Sequence, residues 1–213
     1  MQLAEITVGG TSDTWSQIGL SVHENVAQVA DVLIRIDGSN TVVSSCSFIA
    51  GSSVGGNSRH RSIDGLPIRL LTSAPSSPFT SRQMTQDIQF TGIDHVVITT
   101  DDLGRTSAEI ERVLGVACAR IRDAGHSVTQ AFHKLDNTIL ELVTGLHVKH
   151  AGAKWWGFVL TIDDIDSWWS DVGNSVASAP RDAVQPGRRI STIRPEVGLG
   201  VPVAVMSPHV RAS

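Results

Sequence analysis

One short run occurs twice in the carboxy-terminal half of the chain. Val97-Ile98-Thr99-Thr100-Asp101-Asp102-Leu103 is echoed by Val159-Leu160-Thr161-Ile162-Asp163-Asp164-Ile165. In each copy an apolar, β-rich stretch ends on paired aspartates and passes into a helical pattern. Such a repeat constrains the fold more than composition does. Each copy is one strand–helix unit, and it buries its sheet only against its own helix and its twin.

The first unit opens at Ile93-Asp94-His95-Val96-Val97. Thr106-Ser107-Ala108-Glu109 has the form of a capping box, Ile110, Val113 and Leu114 make an apolar stripe, and Gly115 stops the helix. Short strands are expected over residues 117–121, 129–135 and 138–143, which completes a β-α-β-β-β order. The second unit begins at Trp155. There Asp166 is placed to cap a helix carrying Trp168, Trp169 and Val172, which ends at Gly173. Strands follow near residues 189–194 and 201–206.

A proline- and serine-rich stretch over residues 73–87 has linker composition and divides this domain, residues 88–213, from residues 1–72. The amino-terminal segment reads as a smaller, degraded version of the same plan. Strands are expected over residues 3–8, 29–36, 41–49 and 66–71. A short helix over residues 11–18 turns Trp15 and Ile18 inward, and the Gly/Ser-rich residues 51–62 read as a loop. The fold class is therefore α+β, with tandem βαβββ modules forming a curved mixed sheet and a partial module ahead of them.

Composition closes off other classes. The net charge is −4 and the basic residues are scattered, with Arg188-Arg189 the longest cluster, so nucleic acid is not an expected partner. No apolar run has the length of a membrane span, and the first residues lack the pattern of a secretory signal. Cys46 and Cys118 stand far apart with no metal-binding spacing, which fits reduced thiols in a cytoplasmic protein.

Two βαβββ units headed by IDHVVITTDD resemble the vicinal-oxygen-chelate superfamily, which holds glyoxalase I, extradiol dioxygenases and the bleomycin-resistance proteins. The run RDAVQPGRRISTIRPEVGLGVPVAVMSP, residues 181–208, resembles the second half of glyoxalase-like proteins. The resemblance spans roughly residues 88–209. It implies a cup-shaped sheet whose face holds a divalent ion that chelates neighbouring substrate oxygens. It also implies a cup that is often completed by a homodimer, a role the amino-terminal segment can fill instead. The family's ligand positions fall on His95 and Glu141 in the first module, and on Gly157 and Ala204 in the second. Half of the implied ligand set is missing. Either no metal binds, or one ion (Zn, Mn, Fe or Ni) is completed by water, substrate or a partner chain.

Strand parity places Glu141 on the cavity face without help from the family. If Asp136-Asn137 is a two-residue hairpin turn, Phe132 pairs with Glu141, and Glu141 shares a face with Gln130, Phe132, Ile139 and Val143. Ala131, His133, Leu140 and Leu142 then pack under the helix. A carboxylate between Leu140 and Leu142 is costly to bury alone, so a cavity, a cation or a donor should meet it. In the second module the same parity sends Gly157, Val159 and Thr161 to the cavity and Trp156, Phe158, Leu160 and Ile162 under the helix. Three roles stay open for His95 and Glu141: a metal pair, a metal-free acid/base dyad, or satisfied polar groups in a plain binding pocket. Gln130, Phe132, Arg189 and Trp155 are the candidates to contact a small oxygenated ligand. A glyoxalase-like lyase, isomerase or dioxygenase-type enzyme and a non-catalytic sequestering protein are both compatible with this set.

Overall fold

The computed structural model describes residues 1–39, 43–50, 59–79 and 90–209. Its strands form two mixed sheets with few helices, an α+β fold. Residues 90–209 supply β8 (Gly92–Thr100), α2 (Leu103–Leu114), β9 (Cys118–Gly125), β10 (Val128–Lys134) and β11 (Ile139–Gly145), then β12 (Ala153–Thr161), α3 (Ile165–Val172), β13 (Arg181–Asp182), β14 (Arg189–Thr192) and β15 (Val203–Met206). They make one sheet in the order β13-β14-β15-β12-β8-β11-β10-β9. The antiparallel β8–β12 pair lies at its centre, and β11 and β15 run parallel to β8 and β12 on either side.

The repeated aspartates have a defined job. Asp102 and Asp164, the second of each pair, are the N-caps, and each accepts the amide of the residue three on, Arg105 or Ser167, at 2.9 Å. This corrects two expectations. The Thr106 hydroxyl is not a cap; it is fully buried inside α2, bonded to Thr100 at 2.7 Å and to Asp64 at 2.6 Å. Asp166 lies in the first turn of α3 and pairs with Arg189. Gly115 ends α2 in a left-handed conformation, φ 69°, which costs little without a Cβ.

The amino-terminal segment holds β1 (Gln2–Val8), α1 (Ser12–Ser16), β2 (Val22–His23), β3 (Val26–Val29), β4 (Val32–Ile36), β5 (Val43–Ile49), β6 (Arg59–Ile63) and β7 (Leu66–Leu71). Their order is β2-β3-β4-β1-β5-β7-β6. The β1–β5 pair is antiparallel, β4 is parallel to β1, and β7 is parallel to β5. This is the topology of the larger sheet without, among the described residues, a counterpart of its edge strand β13 or of α3. It is more than the sequence shows, for local reasons. Residues 29–36 hold a hairpin turn at Ala30, whose φ of 52° no residue preference announces. Residues 59–62 belong to β6 rather than to a loop, while residues 41–42 of an expected strand, 51–58 of the expected loop and 80–87 of the expected linker lie outside the described residues.

The sheets and helices share one core. The Trp15 ring stacks on Phe158 with centroids 6.0 Å apart, and Trp168 Nε1 donates to the Ile18 carbonyl at 2.8 Å. The Asn137 amide accepts from Leu3 N at 3.0 Å and donates to Leu3 O at 2.8 Å, which ties the β10–β11 turn to β1. Asp64 holds the Arg105 guanidinium by two bonds, at 2.7 and 3.0 Å.

Candidate functional site

The β10–β11 hairpin follows the predicted register, with Phe132 opposite Glu141 and Lys134 opposite Ile139. Ala131, His133, Leu140 and Leu142 are fully buried on the α2 side. Glu141 therefore projects from the other face, where β8 presents His95, Val97 and Thr99. A cavity of about 400 Å³ opens there, lined by these residues, by Gln130 and Val143, and by Trp156, Val159, Thr192 and Ala204 across the sheet. That volume suits a small metabolite.

Two polar side chains of the cavity wall, His95 and Glu141, end a chain that runs back through Asp94 to Arg188. Arg188 donates to Asp94 at 2.6 Å, Asp94 meets His95 Nδ1 at 2.7 Å, and His95 Nε2 faces Glu141 Oε2 at 3.4 Å. Gln130 Nε2 donates to the other Glu141 oxygen at 2.6 Å. Burial pushes the Asp94 carboxyl up, but the hydrogen bonds from His95 and Arg188 outweigh it and hold the group at about 2. Glu141 behaves oppositely. Its burial pushes the carboxyl above the ordinary range, and the charges of His95 and Arg122 recover only part of that shift. Asp94 is thus a fixed acceptor that keeps a proton on His95 Nδ1. Nε2 is left facing the Glu141 carboxylate across 3.4 Å. The imidazole orientation is thus locked from behind by Asp94.

Arg122 lies opposite Gln130 on β9 and shares its face, and Arg120 stands likewise opposite Phe132. Phe132 faces the same side as Glu141, next to the residues that line the cavity rather than among them. Two other expected contacts are corrected. Trp155 is 6% exposed and packs in the core, whereas Trp156 is 49% exposed and lines the cavity. The cause is an irregularity between Trp155 and Gly157, which oppose the adjacent β8 residues Ile98 and Val97, so that Trp156 is an extra residue and strict alternation fails. Arg189 points away from the cavity, since Ile190 and Thr192 carry the cavity parity of β14, and it bonds Asp166 and the Pro180 carbonyl. Its neighbour Arg188, 1% exposed, is the arginine that serves the site. Sequence reasoning also missed His147, which reaches the cavity from the loop after β11, and Asp94, whose adjacency to His95 was the available signal.

The residues do not fit the four-ligand metal site that the family resemblance implies. His95 and Glu141 are spent on one another, and Ala204 offers no donor. A Cβ on Gly157 would lie 2.2 Å from the Pro202 carbonyl oxygen, so a ligand side chain has no room there. Gln130 Oε1, buried without a hydrogen-bond partner, is one further acceptor at the cavity wall.

Searches against protein-family models and against curated proteins return no match. Solved structures do match. Methylmalonyl-CoA epimerase from Mycobacterium tuberculosis is 18% identical with a TM-score of 0.50, covering 62% of this chain and 97% of that one. A hypothetical protein from Bacillus halodurans is 15% identical with a TM-score of 0.47, covering 57% and 96%. The likeness to the epimerase is one of fold, and that fold is of the vicinal-oxygen-chelate type. No helix among the described residues is long and apolar enough to cross a membrane.

Proposed function

We propose that the chain binds a small oxygenated metabolite in the cavity beside β8 and β11 and moves a proton on it with Glu141 and His95. The buried Glu141–His95 pair, backed by Asp94 and Arg188, carries this reading. A carboxyl raised by burial holds or releases a proton closer to neutrality than an exposed one, which suits a general base acting next to a carbonyl. Asp94 fixes the imidazole so that Nε2 can pass a proton to or from Glu141 Oε2. Gln130 orients the carboxylate, and Trp156, Val97 and Val159 exclude water around the ligand. No step needs a metal.

A solved structure of similar fold is a methylmalonyl-CoA epimerase, which makes thioesters with an acidic α-hydrogen the first compounds to test. The expected outcome is exchange of the α-hydrogen in D₂O, followed by proton NMR across a panel of small thioesters and 2-oxo acids. Glu141→Gln should lower it by about 10²–10⁴-fold. Binding without exchange across the panel would favour the second reading, a sequestering protein. The closed Gly157 position and the apolar Ala204 side of the cup favour that reading. Absence of both binding and exchange would reject the site.

A further inference from the structure

The central strands of the two sheets correspond in register as well as in order. In the larger sheet His95 pairs with Val159, Val97 with Gly157, Glu141 with Val97 and Ala204 with Val159. In the smaller sheet Glu5 pairs with Ser47, Thr7 with Ser45, Arg35 with Thr7 and Arg69 with Ser47. The positions of His95, Glu141, Gly157 and Ala204 are therefore occupied by Glu5, Arg35, Ser45 and Arg69. These side chains share the face opposite the core, which Ile6, Ile34, Cys46 and Ile68 occupy.

The centre of this face is built rather than merely solvated. Glu5 is 4% exposed and Ser47 1% exposed. Arg35 pairs with one Glu5 oxygen, while Ser47 Oγ donates to the other at 3.4 Å. That leaves Arg69 with a loose contact to Glu5 at 3.8 Å and a buried Nε that has no hydrogen-bond partner among the described residues. Among those residues two guanidinium groups face one carboxylate, so one positive charge is left over. Both arginine side chains stay about two-fifths open, at 42% and 41%. Ser45 and Thr7 add hydroxyl donors, 3.4 Å apart, beside them. A divalent cation would be repelled here. Planar forks flanked by hydroxyls match the oxygens of a carboxylate or phosphate.

We propose that this face is a second ligand site, which takes the oxyanion of a small anionic metabolite between Arg35, Arg69 and the Ser45 hydroxyl. The site answers to charge, whereas the cavity of the larger sheet answers to shape and proton transfer. One chain would thus present two different cups on one topology.

The test titrates inorganic phosphate at constant ionic strength into the full chain carrying ¹⁵N-arginine, following the Nε–Hε signals of Arg35 and Arg69 by NMR. Saturable shifts of both signals are expected, with Arg69→Gln weakening binding about tenfold or more. Glu5→Gln frees Arg35 from its resident carboxylate and should tighten binding about tenfold. Ser45→Asp installs a competing carboxylate and should abolish it; should Glu5→Gln fail to fold, this variant carries the comparison. Glu141→Gln should leave the titration unchanged, so that this proposal and the cavity reading fail separately. A natively folded wild type showing no saturable shift at either arginine would overturn the proposal and leave the cluster a structural ion network.

Discussion

The centres of the two sheets differ in how they treat charge. At the larger sheet Asp94 and Arg188 are both withdrawn from water, at 11% and 1% side-chain exposure, and their pairing orients His95. At the smaller sheet a single buried carboxylate, Glu5, is bracketed by two arginines that reach solvent. A fully withdrawn pair is rigid and intolerant of losing a member; an open cluster is tolerant and keeps its cations available. The same registers thus support a buried His–carboxylate pair in one half and an arginine-flanked carboxylate in the other. Topology sets where side chains meet, and residue type sets what they do there.

The comparison breaks most sharply at Asp94. Asp94→Asn leaves the Arg188 guanidinium buried without a counter-charge and should cost about 3–5 kcal/mol, read as a fall in urea midpoint or Tm. Glu5→Gln, by contrast, should cost about 1 kcal/mol or less, because both of its arginines can turn to water. Comparable losses for the two variants would show that the halves do not differ as described. The wild type should also carry an acid limb of its own. The folded Asp94 carboxyl titrates at about 2 against an ordinary 3.8, so its contribution is complete above the higher value and is lost as pH falls towards the lower. Asp94→Asn should remove that limb.

A smaller effect is expected at Gly157. Gly157→Ala forces its Cβ towards Pro202 O and should destabilise by about 1–3 kcal/mol, while Ser45→Ala at the matching position should be near neutral. The smallest effect falls on titration alone. Arg122→Ala removes a charge that holds Glu141 down, so the Glu141 carboxyl, followed by ¹³C NMR, should move further above its ordinary range. An unchanged titration would place Arg122 too far away to tune the site.

The sequence was informative where chemistry is local and periodic. The paired aspartates marked both strand–helix junctions, and alternation through the β10–β11 hairpin placed Glu141 opposite Phe132 and inward. It was silent where a long-range contact overrode a local rule. The Thr106 hydroxyl looks like a cap until Asp64, distant in sequence, accepts its hydrogen bond, and Asp102 caps the helix instead. Trp155 and Trp156 exchange environments at a register irregularity that no residue announces. Arg188 and Arg189 are indistinguishable as a dipeptide; what separates them is that one meets Asp94 across the sheet and the other meets Asp166 on α3. The pairing of Glu5 with Arg35 and Arg69 requires the parallel registers of β4 and β7, which sequence alone does not supply.

The backbone contact between Gly157 and Pro202 has a consequence for how this chain can change over time. The amide of Phe158 already donates to that same Pro202 carbonyl, at 3.2 Å, so the loop before β15 is fastened against β12. Placing a side-chain donor at residue 157 would require the loop to retreat first, and retreat breaks a bond before any benefit is gained. Single substitutions at this position therefore meet a closed door, and only a paired change in the loop could open it. The contact works as a ratchet that keeps this side of the cup free of side-chain donors.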